Sequence, residues 1–185
     1  MRFVLLACVA ACTSSGGDVS GTTPGGSVDI QATVSAVVTT SDGGDSSSEA
    51  RIILSSNASV CADAGAAIDR KGSRFIAISL RDVSGSTATA PVAAGTYTIY
   101  PNTGSQPPKE ALLDTGGLDD ACQPVDDSQA SGQSGTVVLD SAAGGAFKGT
   151  FDVVLNTGDH ITGSFDPIPC PALQMLTMAS EHTCQ

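Results

Sequence analysis

The chain has no tryptophan, and its aromatic residues are only five phenylalanines and two tyrosines among 185 residues. A core built from this composition must rely on Val, Ile, Leu and Ala, which suits many short strands better than long amphipathic helices. Basic residues are scarce as well, because 8 Lys and Arg stand against 19 Asp and Glu, for a net charge of −11. Since nucleic-acid binding needs a basic surface, this charge argues against a nucleic-acid partner.

The sequence also lacks the motifs that indicate a catalytic or cofactor site. It contains no GxSxG, HExxH or GxxxxGK[ST] pattern, no GxGxxG after a strand, no CxxC pair and no Cys/His cluster with zinc-ligand spacing. Of the two histidines, His160 follows a predicted turn beside Asp159 and is expected to point outward. His182 lies in the C-terminal tail. We therefore expect no catalytic residue and no cofactor.

The clearest structural pattern lies between residues 144 and 170. Apolar residues occupy alternate positions on both sides of a turn at residues 156–159, which predicts a β-hairpin with one buried face. The hairpin contains three of the five phenylalanines, so we expect it to form the centre of the core. The residues predicted to be buried are Phe147, Phe151, Val153, Leu155, Ile161 and Phe165.

Six further segments favour strands, and they determine the predicted fold. In the first, alternate residues are expected to share one buried face, and these are Val28, Ile30, Ala32, Val34, Ala36 and Val38. Residues 57–70 break the period of two and predict a short helix. With the hairpin, this makes an all-β antiparallel β-sandwich of about eight strands, with a closed β-barrel as the alternative. The six segments are residues 27–40, 49–55, 74–82, 94–100, 110–114 and 135–141.

The first residues are typical of an export signal. A short charged start precedes about nine apolar residues, which are too few to span a bilayer. Small residues directly before Cys12 resemble the lipobox of bacterial lipoproteins. The resemblance implies that residues 1–11 are a lipoprotein signal peptide, that Cys12 carries a lipid anchor, and that Thr13 directs the protein to the outer membrane. Cys8 is a poorer second candidate, and an ordinary secretory signal is the alternative.

Composition divides the rest of the chain into three parts. Residues 12–26 are rich in Gly, Ser and Thr and predict a flexible tether. Residues 27–170 form the predicted sandwich domain. Residues 171–185 form a C-terminal tail, in which residues 172–182 are expected to form one or two helical turns.

Four cysteines remain after the two N-terminal ones are assigned to the signal and the anchor: Cys61, Cys122, Cys170 and Cys184. An even number in an exported chain predicts two disulfides. If successive strands alternate in direction, Cys61 and Cys170 lie at the same end of the fold. This favours Cys61–Cys170 with Cys122–Cys184, and the alternative is Cys61–Cys122 with Cys170–Cys184.

A long acidic loop is predicted at residues 115–134. Its aspartates, Asp119, Asp120, Asp126 and Asp127, supply the hard oxygen ligands that Ca²⁺ prefers. The EF-hand pattern is absent, however, so a solvated loop without metal is the favoured interpretation.

A second candidate site lies near the end of the fourth predicted strand. There Tyr97, Tyr100 and Asn102 could form a small patch on which a sugar ring stacks. The alternative is that Tyr97 packs in the core.

The segments VAACTSSGG, GTYTIY and GTFDVVLNTGDHITGSFDPIPC, with the stretch around Cys61, resemble the small uncharacterised lipoproteins of myxobacteria and related soil bacteria. The resemblance implies a location in the cell envelope and a β-rich fold, and it brings no activity or site with it. We therefore expect a non-catalytic binding or structural module with a protein or glycan partner. The alternative is an envelope hydrolase with a carboxylate-based site in the end loops.

Overall fold

A computed structural model describes residues 16–42, 45–176 and 182–185. The described part is all-β, as predicted, with two short helices, α1 (Val60–Ala66) and α2 (Leu173–Leu176), and one 3₁₀ turn (Asp126–Ser128). The strands are β1 (Gly16–Gly21), β2 (Ala32–Asp42), β3 (Asp45–Ser55), β4 (Ile68–Asp69), β5 (Arg74–Ser84), β6 (Thr87–Thr89), β7 (Gly95–Ile99), β8 (Lys109–Gly117), β9 (Ala130–Ala143), β10 (Ala146–Leu155), β11 (His160–Asp166), β12 (Ile168–Pro169) and β13 (Thr183–Cys184).

One large sheet contains almost all of the strands. Its hydrogen-bonded order is β1-β11-β10-β9-β7-β8-β5-β3-β2-β12, and β6 pairs with β5 beside this path. All neighbours are antiparallel except β7 with β8 and β2 with β12. Between β8 and β9, β7 ends at Ile99, and beyond that end β8 and β9 pair directly through Asp114 and Ser131. The sheet therefore contains a fork at the carboxyl end of β7.

The inner face of the sheet encloses the main core. Strands from opposite ends of the hydrogen-bonded order contribute to it, with Ile52 and Leu54 from β3 and Ile161 and Phe165 from β11. Such distant strands can share a core only because the sheet curls over on itself. Aliphatic side chains make up most of this core, as the composition predicts.

The β10–β11 hairpin confirms the prediction from its alternation. All six side chains predicted to be buried are at most 3% exposed. Glycines on the facing strands make room for the two largest rings. A Cβ atom at Gly163 would lie 2.5 Å from Cζ of Phe151, and one at Gly149 would lie 2.8 Å from Cζ of Phe165. The hairpin can therefore hold its phenylalanines flat against the sheet.

A second, smaller cluster covers part of the outer face. It contains Val34, Ala36 and Val38 of β2, together with Leu173 of α2 and the buried Cys170. The prediction that these β2 residues share a buried face with Val28 is wrong, because Val28 packs in the main core. The reason is that β2 lies near one end of the sheet order, where the two helices provide its valines with a second apolar surface.

Beyond the helices, the outer face of β3 and β5 carries a network of charged side chains. Glu49 accepts hydrogen bonds from Arg51, from Nε of Arg81 at 2.9 Å and from Oγ of Ser79 at 2.9 Å. Burial by itself raises the pKa of Glu49, but the two arginines and Ser79 outweigh burial and hold this pKa below its ordinary value. Glu49 is therefore a paired carboxylate that contributes to stability as an anion.

The N-terminal glycine-rich segment differs from its prediction. Residues 16–21 were assigned to a flexible tether, yet they form β1 and pair with β11 along their whole length. A Cβ atom at Gly17 would lie 2.5 Å from Oγ1 of Thr33, so the absence of a side chain allows β1 to approach β2 closely. Val19 packs against the main core. Composition alone does not distinguish such close packing from flexibility.

Two other predicted irregular segments are also more ordered than expected. The acidic loop is shorter, because β8 continues to Gly117 and β9 begins at Ala130. The tail contains α2, whose Leu173 is fully buried, and β13, which pairs in parallel with β4 in a separate two-stranded sheet. The described part of the tail is therefore joined to the domain.

Candidate functional site

The cysteines form the two disulfides that the strand argument favoured. Cys61 pairs with Cys170, and Cys122 pairs with Cys184, with Cα–Cα distances of 5.8 and 5.6 Å. The alternative pairing is wrong. The favoured pairing was predicted by assuming that successive strands alternate in direction, and this reason is incomplete. Cys170 follows β12, which pairs with β2 in parallel and not antiparallel. Signal peptide and lipid-anchor predictions, including Cys12 and Cys8, concern residues outside the described part of the chain.

The predicted calcium ligands are not brought together. Asp119 is occupied within its own loop, where its Oδ1 accepts the backbone N–H groups of Ala121 at 2.7 Å and Gln123 at 2.9 Å. Asp126 and Asp127 lie in the 3₁₀ turn. Across residues 16–42, 45–176 and 182–185, no group of three or more His, Cys, Asp or Glu side chains could hold a metal ion.

The histidines form local pairs with aspartates. Nε2 of His160 lies 2.7 Å from Oδ1 of Asp152 on the neighbouring strand, and its side chain is 56% exposed. His160 therefore points outward as predicted, although it contacts Asp152 as well. Nδ1 of His182 lies 2.9 Å from Oδ1 of Asp69 on β4, which holds the last residues against that strand.

The three residues of the predicted sugar-stacking patch separate into two environments. Tyr97 is fully buried in the main core, and its hydroxyl donates to Oδ1 of Asp82 at 3.0 Å. Burial raises the pKa of Tyr97, and the Lys109 ammonium group lies 4.7 Å from its ring centroid. Tyr97 therefore belongs to the core, which was the alternative interpretation. Tyr100 and Asn102 lie beyond the end of β7 and line an open pocket.

This pocket, which we call the fork pocket, occupies the place where β7 leaves the sheet between β8 and β9. It has a volume of about 210 Å³. Asn102 at its rim has a φ of 59°, a left-handed conformation that asparagine tolerates better than most residues. Most of the side chains that line it are polar. These polar side chains are Tyr100, Asn102, Asp114, Ser131, Gln133 and Asn156.

Ser131 positions the two polar groups beside it. Its hydroxyl donates to Oδ1 of Asp114 at 2.6 Å, and its backbone N–H donates to Oδ1 of Asn156 at 3.2 Å. The backbone N–H of Asn156 in turn donates to the carbonyl of Ser131 at 2.8 Å. The carboxylate and the amide are thus held in place by β9, and each has hydrogen-bonding capacity left for a ligand.

A second cavity, the middle pocket, adjoins the fork pocket and shares Asp114 and Ser131 with it. Its volume is about 340 Å³, and its walls are mainly apolar. The half-buried ring of Phe75 on β5 lies over Gly116 on β8, where a Cβ atom would come within 2.7 Å of Cζ. The glycine therefore creates the space that the aromatic ring occupies.

A third cavity, the arginine pocket, shares Phe75 with the middle pocket and extends to α1. Its volume is about 230 Å³. The buried Asp63 accepts two hydrogen bonds from Arg70, at 2.8 and 2.7 Å, and one from Asn57 at 2.8 Å. The bonds from Arg70 hold the pKa of Asp63 below its ordinary value, although burial opposes them. Asp63 is therefore a structural anion that orients Arg70.

The three pockets adjoin one another through shared lining residues, and we call them together the groove. Its character changes along its length, from polar at the fork pocket to apolar at Phe75 and to an ion pair at Arg70. The carboxylates along it are few and engaged: Asp114 is held by Ser131, Asp63 by Arg70 and Asp69 by His182. Within the described residues, each carboxylate that lines the groove therefore has a side-chain partner.

Comparison of the chain with protein-family models, with curated proteins and with solved structures found no match. Within the described residues, no helix combines the length and the apolar character needed to cross a membrane.

Sequence reasoning identified Tyr100 and Asn102 but missed the rest of the groove. A signal was present in β8, where Ala111, Leu113 and Thr115 are buried and the intervening Asp114 faces the outer side. The same alternation that predicts the core therefore also identifies the groove face. What it does not show is the fork, because the fork arises from pairing between β8 and β9.

Proposed function

We propose that this protein is a lipid-anchored binding module of the cell envelope, with the groove as its ligand-binding surface. The two disulfides indicate an oxidising compartment outside the cytoplasm. The lipobox-like sequence before Cys12 supports attachment to a membrane, and Thr13 supports the outer membrane as its location. The observation that carries the binding role is the row of adjoining pockets, in which Ser131 holds the side chains of Asp114 and Asn156 in place.

The state of the carboxylates favours binding over hydrolysis. Hydrolysis of glycosidic bonds commonly uses two carboxyl groups that flank the scissile bond. The fork and middle pockets share the single carboxylate of Asp114. In the arginine pocket, Asp63 and Asp69 are each paired with a basic side chain. A binding module therefore accounts for the groove better than an envelope hydrolase does.

The strand register supports a groove whose polar end lies away from the membrane. The domain begins at Gly16, so the chain from Cys12 spans at most about 14 Å when fully extended. Gly16 pairs with Asp166 at one end of β11, and Asn156 lies near the opposite end, where Val154 pairs with His160. Seven residues of β11 cover roughly 23 Å. The fork pocket is therefore accessible to a ligand that approaches from the side opposite the anchor.

We also infer that the curled sheet is a two-layer sandwich. Two observations support this description: β1 and β2 form no ladder with each other in the described part of the chain, and the main core lies between the two halves of one sheet. A closed barrel would need a ladder of hydrogen bonds between β1 and β2 or β12 at the other end of the strand order.

The anchor can be tested on protein purified in detergent from the membranes of an expressing bacterium. Intact mass spectrometry should show loss of residues 1–11 and the added mass of a diacylglyceryl group on Cys12. Cys12→Ser should release the protein from the membrane fraction, whereas Cys8→Ser should leave it attached. Membrane attachment of Cys12→Ser with no acyl mass would refute the anchor.

The groove can be tested by sedimentation of the same detergent-purified protein with isolated cell walls. Phe75→Asp places a charge in the apolar middle pocket and should abolish cosedimentation. Val92→Asp is the matched control, because Val92 is 88% exposed and lies outside the groove. If both variants sediment with the walls as the wild type does, the groove is not the binding surface.

A further inference from the structure

The fork pocket differs from the rest of the groove in the kind of ligand that it suits. It is open, and it is lined by the half-buried Tyr100 and by exposed amide and carboxylate side chains. Protein interfaces concentrate affinity in desolvated pockets that receive large apolar or arginine side chains. Instead, the fork pocket has one aromatic residue among several hydrogen-bonding groups.

We propose that the fork pocket binds one sugar unit of an uncharged polysaccharide, with Tyr100 against the apolar face of the sugar ring. This inference depends on the proposed function, since it names the ligand class of the same groove. A pyranose ring has C–H groups on its faces and hydroxyl groups around its edge. It therefore matches a site with one aromatic face and several polar side chains.

The polar side chains are fixed in a way that suits hydroxyl groups. Ser131 occupies Oδ1 of Asp114 and Oδ1 of Asn156, which leaves Oδ2 of the carboxylate as an acceptor and the amide nitrogen as a donor. A sugar hydroxyl can donate to the first and accept from the second. Because β9 already orders both groups, less conformational entropy is lost on binding than for mobile side chains.

Charge selects against acidic polymers. The chain carries a net charge of −11, and Asp114 contributes a carboxylate inside the pocket itself. Phosphorylated or carboxylated sugars would meet like charge both at long range and at the site. The fork pocket is therefore expected to discriminate in favour of neutral sugars.

The middle pocket adjoins the fork pocket through Asp114 and Ser131, and this adjacency favours a polymer over a single sugar. Phe75 in the adjoining middle pocket offers a second aromatic surface, and Asp114 lies on the boundary between the two cavities. A chain of sugars that extends from Tyr100 to Phe75 would contact both rings. Affinity should therefore increase with oligosaccharide length until the groove is filled.

Isothermal titration calorimetry on the detergent-purified full chain tests this proposal. The probes are cellohexaose and the hexamer of N-acetylglucosamine as neutral sugars, their dimers, and hexagalacturonate as an anionic sugar. At least one neutral hexamer should bind, about tenfold more tightly than its dimer and about tenfold more tightly than hexagalacturonate.

Four variants locate the site. Tyr100→Ala should weaken neutral hexamer binding by about tenfold or more, and Tyr100→Phe should preserve it because the ring remains. Asp114→Asn should weaken it and reduce the preference over hexagalacturonate. Asp140→Asn is the matched control with the same charge change on β9, outside the pocket, and should bind as the wild type does.

Two results would overturn the proposal. One is the absence of heat with every neutral hexamer, and the other is binding that Tyr100→Ala and Asp114→Asn leave unchanged. One combination of results would refute only the sugar assignment: no neutral hexamer binds, but Phe75→Asp still abolishes cosedimentation with cell walls. The groove would then remain the binding surface for another ligand. If Phe75→Asp also cosediments with the walls as the wild type does, the proposed function of the groove is refuted as well.

Discussion

The two faces of the curled sheet are built by different means. The inner face is a continuous core in which Phe147, Phe151 and Phe165 and the neighbouring aliphatic residues are almost completely buried. The outer face has a small apolar cluster fastened by the Cys61–Cys170 disulfide, a charged network around Glu49, and the open groove.

The difference shows how a protein with few aromatic residues stabilises two surfaces of different character. Burial of apolar surface stabilises the inner face without specific cross-links. The outer face has less surface to bury, so a covalent bond and ion pairs hold the parts that flank the groove. The groove itself can then remain exposed without loosening the domain.

The largest effect is expected when the Cys61–Cys170 disulfide on the outer face is removed. We expect Cys61→Ala with Cys170→Ala to lower the free energy of unfolding by about 4 to 5 kcal/mol, because the bond closes a long loop. The sequence separation is 109, against 62 for Cys122–Cys184. Cys122→Ala with Cys184→Ala should therefore lower the free energy of unfolding by slightly less. Urea unfolding measures both, and equal midpoints for the first variant and the wild type would contradict this role for the disulfide.

A pair of phenylalanine substitutions compares the two faces directly. Phe165 is 1% exposed in the main core, so Phe165→Ala should lower the free energy of unfolding by about 4 kcal/mol. Phe75 is half-buried over Gly116 on the outer face, and Phe75→Ala should cost only about 1 to 2 kcal/mol. Thermal unfolding of both variants checks the difference. Equal decreases in the free energy of unfolding for the two variants would mean that the outer face is packed as tightly as the inner one.

The smallest effect concerns pH. Arg51, Arg81 and Ser79 lower the pKa of Glu49 from its ordinary value of 4.5. The stabilisation from this carboxylate is therefore fully present above that value and is lost as the pH falls through the lowered folded pKa.

At neutral pH, Glu49→Gln should lower the free energy of unfolding by about 2 kcal/mol. The difference from the wild type should shrink as the pH falls below 4.5 and through the lowered pKa of Glu49, because the carboxylate then becomes protonated. Urea titrations at several pH values measure this, with Asp140→Asn as an exposed control. If the difference in free energy of unfolding between the wild type and Glu49→Gln grows on acidification, the pKa of Glu49 is not lowered in the folded protein.

The alternation of apolar and polar residues predicted the inner face well, because the inward-facing residues of a strand recur at every second position. In β10, Phe147, Phe151, Val153 and Leu155 follow a period of two, and their burial requires no knowledge of the neighbouring strands. The outer face is different. Val34 and Val38 have the same pattern, yet they pack on the opposite side of the sheet because helices cover β2 there.

The groove was only partly predictable for a related reason. Tyr100 and Asn102 are adjacent in sequence, so a local pattern could identify them. Ser131 and Asn156 reach the same pocket through pairing of β8 with β9 and through the turn after β10. Contacts of this kind depend on strand order, which a single sequence does not specify.

The order of the four cysteines along the chain has a consequence for biogenesis. The first bonds to the third and the second to the fourth, so the two bonds interlock. An exported chain that emerges amino end first presents Cys61 and Cys122 before either of their partners, and Cys184 is the last of the four to emerge. Oxidation in order of appearance would join the wrong pair. Maturation therefore requires oxidation that waits until Cys170 and Cys184 have emerged, or an isomerase that reshuffles early bonds.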